Sequence, residues 1–232
     1  MRPRLLDLFC CAGGAAMGYH RAGFDVIGVD INPQPNYPFE FHQADALEYL
    51  ITHGLTFDAI HASPPCQASC TLIRGNQKAT AGDHINLIPE TRALLAYYRI
   101  PTVIENVQGS ELRRDLTLCG EMFGLGVIRH RYFEVNNIDV TQPAHKPHRG
   151  RVAGWRHGQY FDGPYFAVYG NGGGKGSVAQ WQQAMGIDWT DDRRELAEAI
   201  PPAYTEHVGR QIMAQIETCL HCHLDRVKTR KP

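Results

Sequence analysis

A cysteine placed directly after two prolines is the residue of this chain best suited to covalent chemistry. Ser63-Pro64-Pro65-Cys66-Gln67 mounts a thiol on backbone stiffened by proline, and a nucleophile needs fixed geometry and access more than burial. Glu105-Asn106-Val107 ends an apolar run containing Val103 and Ile104. A carboxyl in such a half-buried setting has its pKa raised, so Glu105 could deliver or share a proton near neutrality. Asp7-Leu8-Phe9-Cys10-Cys11-Ala12-Gly13-Gly14 reads as a strand end, a turn and a helix start. Glycine there lets a ligand approach the backbone, and free N–H groups at the helix N-terminus attract a carboxylate or phosphate. Asp30 follows about twenty residues on, where a carboxylate accepts from ribose hydroxyls, and Asp45 could accept from an adenine amino group. Singly, each is equally an ordinary residue: a core cysteine, a strand-end acid, a tight turn, a helix cap. Together, and in this order, they outline a nucleoside pocket beside a nucleophile and an acid.

The elements that must position them follow from the hydrophobic pattern. Strands are expected at Leu5–Phe9, Asp25–Asp30, Phe39–Gln43, Phe57–Ala62 and Thr102–Glu105, alternating with helices at Ala15–Ala22, Ala46–His53 and Ile85–Tyr98. Such alternation is the signature of a doubly wound α/β sheet, whose ligands gather beyond the carboxyl ends of the strands. Beyond Gly109 a short helix is expected near Leu116–Phe123, strands at Arg131–Val135 and Tyr165–Tyr169, a helix capped by Ser177 through Met185, and a last helix opened by Pro202. Pro143–Gly158, rich in Pro, Gly, His and Arg, reads as an irregular insertion. With no internal repeat or long linker, the chain is expected to be one domain over residues 1–232, with the insertion at 136–166.

The chain has 232 residues, 43% hydrophobic and 20% charged, with 23 Lys+Arg against 24 Asp+Glu. This composition excludes a disordered tail or a fibre, and a formal charge of −1 excludes a polybasic binder, so any polyanion contact must be local. Seven scattered cysteines fit a reducing compartment. No run approaches the roughly 18 apolar residues of a membrane span, and the N-terminus lacks a signal-peptide pattern, so a soluble, cytoplasmic protein without membrane contact is expected. Two distractors fall away. Gly170–Lys175 has Tyr169 and Gly176 where a phosphate loop needs Gly and Ser or Thr. Cys219, His221, Cys222 and His223 lie close together near a terminus without a second ligand pair and read as a helix end, so no metal is assigned.

The ordered set Asp7-Leu8-Phe9…Gly13-Gly14, Asp30, Asp45, Ser63-Pro64-Pro65-Cys66-Gln67, Glu105-Asn106-Val107 and Arg129-His130-Arg131 resembles the (cytosine-5) DNA methyltransferases. The likeness resumes at Trp181–Ile187 and at Ala197-Glu198-Ala199-Ile200-Pro201-Pro202, leaving out about residues 136–166. It implies a Rossmann-like, mixed-sheet fold dependent on S-adenosylmethionine, with that cofactor held by Asp7, Leu8, Phe9, Gly13, Gly14, Asp30, Ile31, Asp45, Ala46, Pro64, Glu198 and Ala199. It further implies that Cys66, next to Pro65, attacks C6 of cytosine. Glu105 would contact N3 and the exocyclic amine, Arg131 would hold O2 and Asn106 would brace the Pro-Cys loop. A duplex substrate would require base flipping, and Gln67–His84, with Arg74 and Lys78, would form the lid.

Three departures qualify the likeness. Only roughly 50 residues separate Arg131 from the Trp181 helix, far short of a usual target-recognition domain. Their basic and aromatic residues, from His145 to Arg156 and then Tyr160, Phe161, Tyr165 and Phe166, suit phosphates and stacked bases over a short stretch. Glu198 stands where the family has Asn, which points either to an outward-turned side chain or to a modified cofactor. Val127 stands in place of the usual Gln. The expected activity is therefore DNA cytosine-C5 methylation of low or short specificity, as in restriction-modification. The alternatives are the same chemistry on RNA or a free cytidine nucleotide, and a catalytically silent nucleic-acid-binding module. A protein partner supplying specificity stays open, and a monomer or weak dimer is expected.

Overall fold

Alternation of side chains along each strand decides the layering. Leu5 and Val26 pack into one apolar layer while their neighbours Leu6 and Ile27 pack into the other, as a period of two requires of a sheet covered on both faces. The computed structural model describes residues 2–65, 86–170 and 176–228. Within them run β1 (Arg4–Leu8), α1 (Gly14–Ala22), β2 (Asp25–Asp30), β3 (Glu40–Gln43), α2 (Ala46–His53), β4 (Ala59–Ala62), α3 (Ile88–Leu95), β5 (Thr102–Val107), β6 (Leu116–Leu118), β7 (Arg131–Asn136), β8 (Gly154–Arg156), β9 (Gln159–Phe161), α4 (Val178–Met185), α5 (Arg193–Glu198) and α6 (Pro202–Lys228). The main sheet has the order β3-β2-β1-β4-β5-β7-β6. The first five strands are parallel, and β7 runs antiparallel to both β5 and β6.

One face is covered by α1 and α6 through Tyr19, Tyr204, Val208 and Ile212. The other is covered by α2 and α3 through Leu50, Ile88 and Leu95. A third cluster, around Trp181, Met185, Leu196 and Val168, joins α4 and α5 to the end of the sheet. Among the described residues no helix is long and apolar enough to cross a membrane.

Two expected elements change identity. Leu116–Phe123 is not a helix: Leu116 and Leu118 are buried either side of Thr117 and pair with Phe133 and Arg131 of β7, and only Gly120–Phe123 forms a 3-10 turn. A strand edge left open by β7 outweighs local helical preference. Tyr165–Tyr169 forms no strand, since its only pairing is the isolated bridge between Tyr165 and Val152. Instead the insertion contains the hairpin β8–β9, closed by His157 at φ 51° and Gly158 at φ 77°, the pair of positive φ values that matches strand twist.

Candidate active site

The carboxyl ends of β1, β2, β4 and β5 open into one cavity of about 1030 Å³, whose wall includes Asp7, Phe9, Asp30, Ile31, Pro64, Pro65, Glu105, Asn106, Arg131, Glu198 and Ala199. The turn after β1 shapes its upper wall. Phe9 and Cys11 hold φ values of 57° and 44°, a left-handed backbone that costs a non-glycine residue about 1 kcal/mol or more. Tertiary bonds hold it there. Cys11 N–H donates to Asp30 Oδ2 at 3.1 Å, Cys10 N–H donates to the Val29 carbonyl, and Trp189 Nε1 donates to the Ala12 carbonyl at 2.8 Å. Asp30 Oδ1 accepts from Asn32 N–H at 2.9 Å, so its carboxylate is fixed at the cavity rim. Burial drives the pKa values of both thiols of the turn upward, Cys11 to about 12.

The glycines are closely packed. A Cβ on Gly13 would meet Pro38 and Tyr37 at about 3 Å, and one on Gly14 would lie 2.4 Å from the Ile200 carbonyl. Gly14 still lines the cavity, but what it admits is the segment before α6. Three further expected cofactor residues stand away from the cavity lining. Leu8 is buried in the core, and Asp45 caps α2 by accepting from Leu47 and Glu48 N–H at 2.9 Å, with Ala46 buried as the helix's first residue. Glu198 pairs with Arg194, one helical turn back, at 2.9 Å, and both residues line the cavity.

Below the turn lies the polar floor. Asp7 is fully buried and lifted well above the carboxylate range, first by burial and further by Asp30 and Glu105, against the Tyr37 hydroxyl that donates to its Oδ2. Its Oδ1 has no hydrogen-bond partner among the described residues. Burial likewise raises Glu105, opposed by Arg131, Arg129 and Ser63. Arg131 Nε lies 2.9 Å from Glu105 Oε1, yet its N–H is not aimed at that oxygen, which keeps its capacity to bond a further group. Asn106 Nδ2 donates to the Pro64 carbonyl at 2.9 Å and so ties the proline pair to β5. Cys66, next in sequence, lies outside the described residues, as does the segment Gln67–His84.

The sequence reading missed what stands behind Glu105. Ser63 Oγ lies 3.2 Å from Glu105 Oε2, His61 Nε2 lies 2.9 Å from Ser63 Oγ, and Tyr19 Oη lies 3.0 Å from His61 Nδ1. The assignment consistent along the row has Tyr19 donating to Nδ1, Nε2–H donating to Ser63 and Ser63 donating to the carboxylate. Burial lowers His61 to about 3, so the imidazole is neutral and one nitrogen must accept. A histidine in the otherwise apolar Ala59–Ala62 run was the available signal. Arg129 was expected only as part of its motif; its guanidinium spans the Val168 and Ala197 carbonyls at 2.8 and 2.5 Å, clamping the third cluster to β7.

No protein-family model matches the chain, and no curated protein matches it in sequence. The fold has solved counterparts. A DNA modification methyltransferase described as encoded within an E. coli prophage superposes with a TM-score of 0.61 at 14% identity, over 93% of this chain and 99% of that one. The Dnmt2 methyltransferase of S. pombe gives 0.62 at 14%, and the Entamoeba histolytica methyltransferase EhMeth gives 0.62 at 12%, with the same coverage. Identity this low establishes a shared fold: a mixed, Rossmann-like methyltransferase fold, matching the resemblance in motif order.

Proposed function

We propose that this chain is a (cytosine-5) methyltransferase that uses S-adenosylmethionine and acts on DNA through a covalent Cys66–C6 adduct, from a single catalytic domain with a reduced recognition segment at residues 136–166. The observation that carries this is the cavity floor, where Glu105 and Arg131 face a shared space beside the Pro64–Pro65 backbone that Asn106 holds. The upper wall fits the cofactor. Asp7 and Asp30 line the cavity, and the buried Asp7 Oδ1 has no hydrogen-bond partner among the described residues, a setting that favours a ligand with polar groups. When bound, S-adenosylmethionine supplies an electrophilic methyl group.

The residues of the chain do the rest. The Cys66 thiolate adds to C6 of cytosine, making the S–C6 bond and raising electron density at C5. Glu105, whose pKa burial raises against Arg131, Arg129 and Ser63, shares a proton with N3 as charge develops there, and Arg131 holds O2. Once C5 carries the methyl group, loss of its proton breaks the S–C6 bond and expels the Cys66 thiolate, and N3 returns its proton to Glu105, which restores the aromatic ring. Glu198, paired with Arg194 at the cavity wall, takes no part in these steps.

Duplex DNA containing 5-fluorocytosine tests the adduct, because fluorine cannot leave as the C5 proton does. The wild-type protein with cofactor is expected to give a denaturation-resistant complex, and Cys66→Ala none; methyl transfer retained by Cys66→Ala would overturn the mechanism. Tritiated-methyl incorporation into duplex DNA, single strands, RNA and dCMP tests the substrate. A preference for RNA or dCMP would reject DNA and leave the cysteine chemistry standing.

A further inference from the structure

Four side chains outside the cavity floor converge where β6 ends and β7 begins. Cys119 follows β6, His130 precedes β7, and His145 and His148 lie on the irregular segment before the β8–β9 hairpin. Their nearest ligand atoms all lie within 4.8 Å of one another. Cys119 Sγ is 3.5 Å from His148 Nε2, and His130 Nε2 is 3.3 Å from His145 Nε2. Around zinc, with Zn–N near 2.0–2.1 Å and Zn–S near 2.3 Å, the edges of a tetrahedron come to roughly 3.3–3.6 Å. Both of these contacts have that length.

The surroundings favour a cation. Cys119 is buried, with the backbone N–H groups of Glu121 and Arg129 directed at its sulfur. The rings of His130 and His145 stack at an interplanar angle of 10°, with His148 5.0 Å from His145 by ring centroid. An inward-facing nitrogen of each imidazole offers a lone pair that a metal accepts. One thiolate and three imidazoles is a donor set for zinc. Four protein ligands leave no open position, which marks a structural site.

We propose that Cys119, His130, His145 and His148 bind one zinc ion that fastens the segment of residues 137–153 to the ends of β6 and β7. Because His130 stands between Arg129 and Arg131, the ion also fixes the backbone from which Arg131 reaches the cavity. Nothing in this assignment depends on the methyl-transfer reaction.

Metal analysis of the untagged full chain, purified after zinc-supplemented expression, is expected to find close to one zinc per chain, and X-ray absorption to find one sulfur and three nitrogens around it. Metal-free protein, or a shell with two sulfurs as Cys219 and Cys222 would supply, overturns the assignment. His148→Ala is expected to lose most of the zinc while Cys219→Ser/Cys222→Ser keeps it; the reverse result overturns it as well. The absorption measurement uses the wild-type protein and so stands even if His148→Ala fails to fold.

Discussion

Glu105 depends on its neighbours for the protonation state that the proposed reaction needs. Ser63 donates to it and lowers its pKa against the upward push of burial. Removing that donor in Ser63→Ala is expected to raise the Glu105 pKa, by up to about one unit for a hydrogen bond to a carboxylate. The working form is protonated, so the alkaline limb of the kcat profile should move to higher pH. An unmoved limb would show that Ser63 fills space only. Glu105→Gln keeps a donor but cannot neutralise charge by proton transfer, and single-turnover methylation should slow by roughly 10²-fold or more. His61 gives a test at the same scale with a stability readout. Its folded pKa lies near 3, against 6.5 for an ordinary histidine. Below about 6.5 the unfolded chain takes up the proton that the fold refuses, so stability is lost as pH falls from there towards 3. Urea midpoints across that range should fall less steeply in His61→Gln than in the wild type. Asp7 and Glu105, whose folded pKa values are raised, contribute the opposite slope in both proteins and cancel from the comparison.

At the scale of elements, α1 and α6 approach so closely that a side chain has no place between them. A Cβ on Gly18 would sit 2.1 Å from Thr205 Oγ1 and 2.2 Å from the Pro202 carbonyl, and that hydroxyl is already committed to the Ala15 carbonyl at 2.8 Å. Gly18→Ala, a gain of helix propensity on an exposed helix, is expected here to destabilise by about 1–3 kcal/mol through overpacking, as read from denaturant midpoints. On the opposite face α3 is tied to β7 by Arg92, which grips both oxygens of the buried Glu134 at 2.8 Å. Burial would raise Glu134, but hydrogen bonds from Arg92 and from Arg113 N–H hold it below the usual range. Arg92→Ala leaves that carboxylate under-compensated and should cost about 3 kcal/mol. Strand β6 shows why element type was not always legible: Leu-Thr-Leu suits a strand as well as a helix, and only the open edge of β7 decides.

For the whole molecule, a formal charge of −1 confines any nucleic-acid contact to one face, and the fold narrows that face. Arg149 pairs with Glu121, and His145 and His148 turn towards Cys119. Trp155 on the β8–β9 hairpin remains 64% exposed, beside the cavity and in edge contact with Tyr160. Trp155→Ala is expected to weaken binding of cytosine-containing DNA by about 1–3 kcal/mol, the worth of one stacked base, in a fluorescence titration at fixed salt. By itself the sequence determined the alternating α/β core, because strand and helix periods are local, and it determined which ends of strands carry acids and the Pro-Pro-Cys run, because those are matters of order. Tertiary structure alone decided that Gly13 packs against Tyr37 and Pro38 and Gly14 against Ile200, that His61 and Tyr19 stand behind Glu105, and that Cys119 meets three histidines. Each of these rests on contacts between residues far apart in the chain, and distance in space is set by the sheet order, which no local pattern encodes.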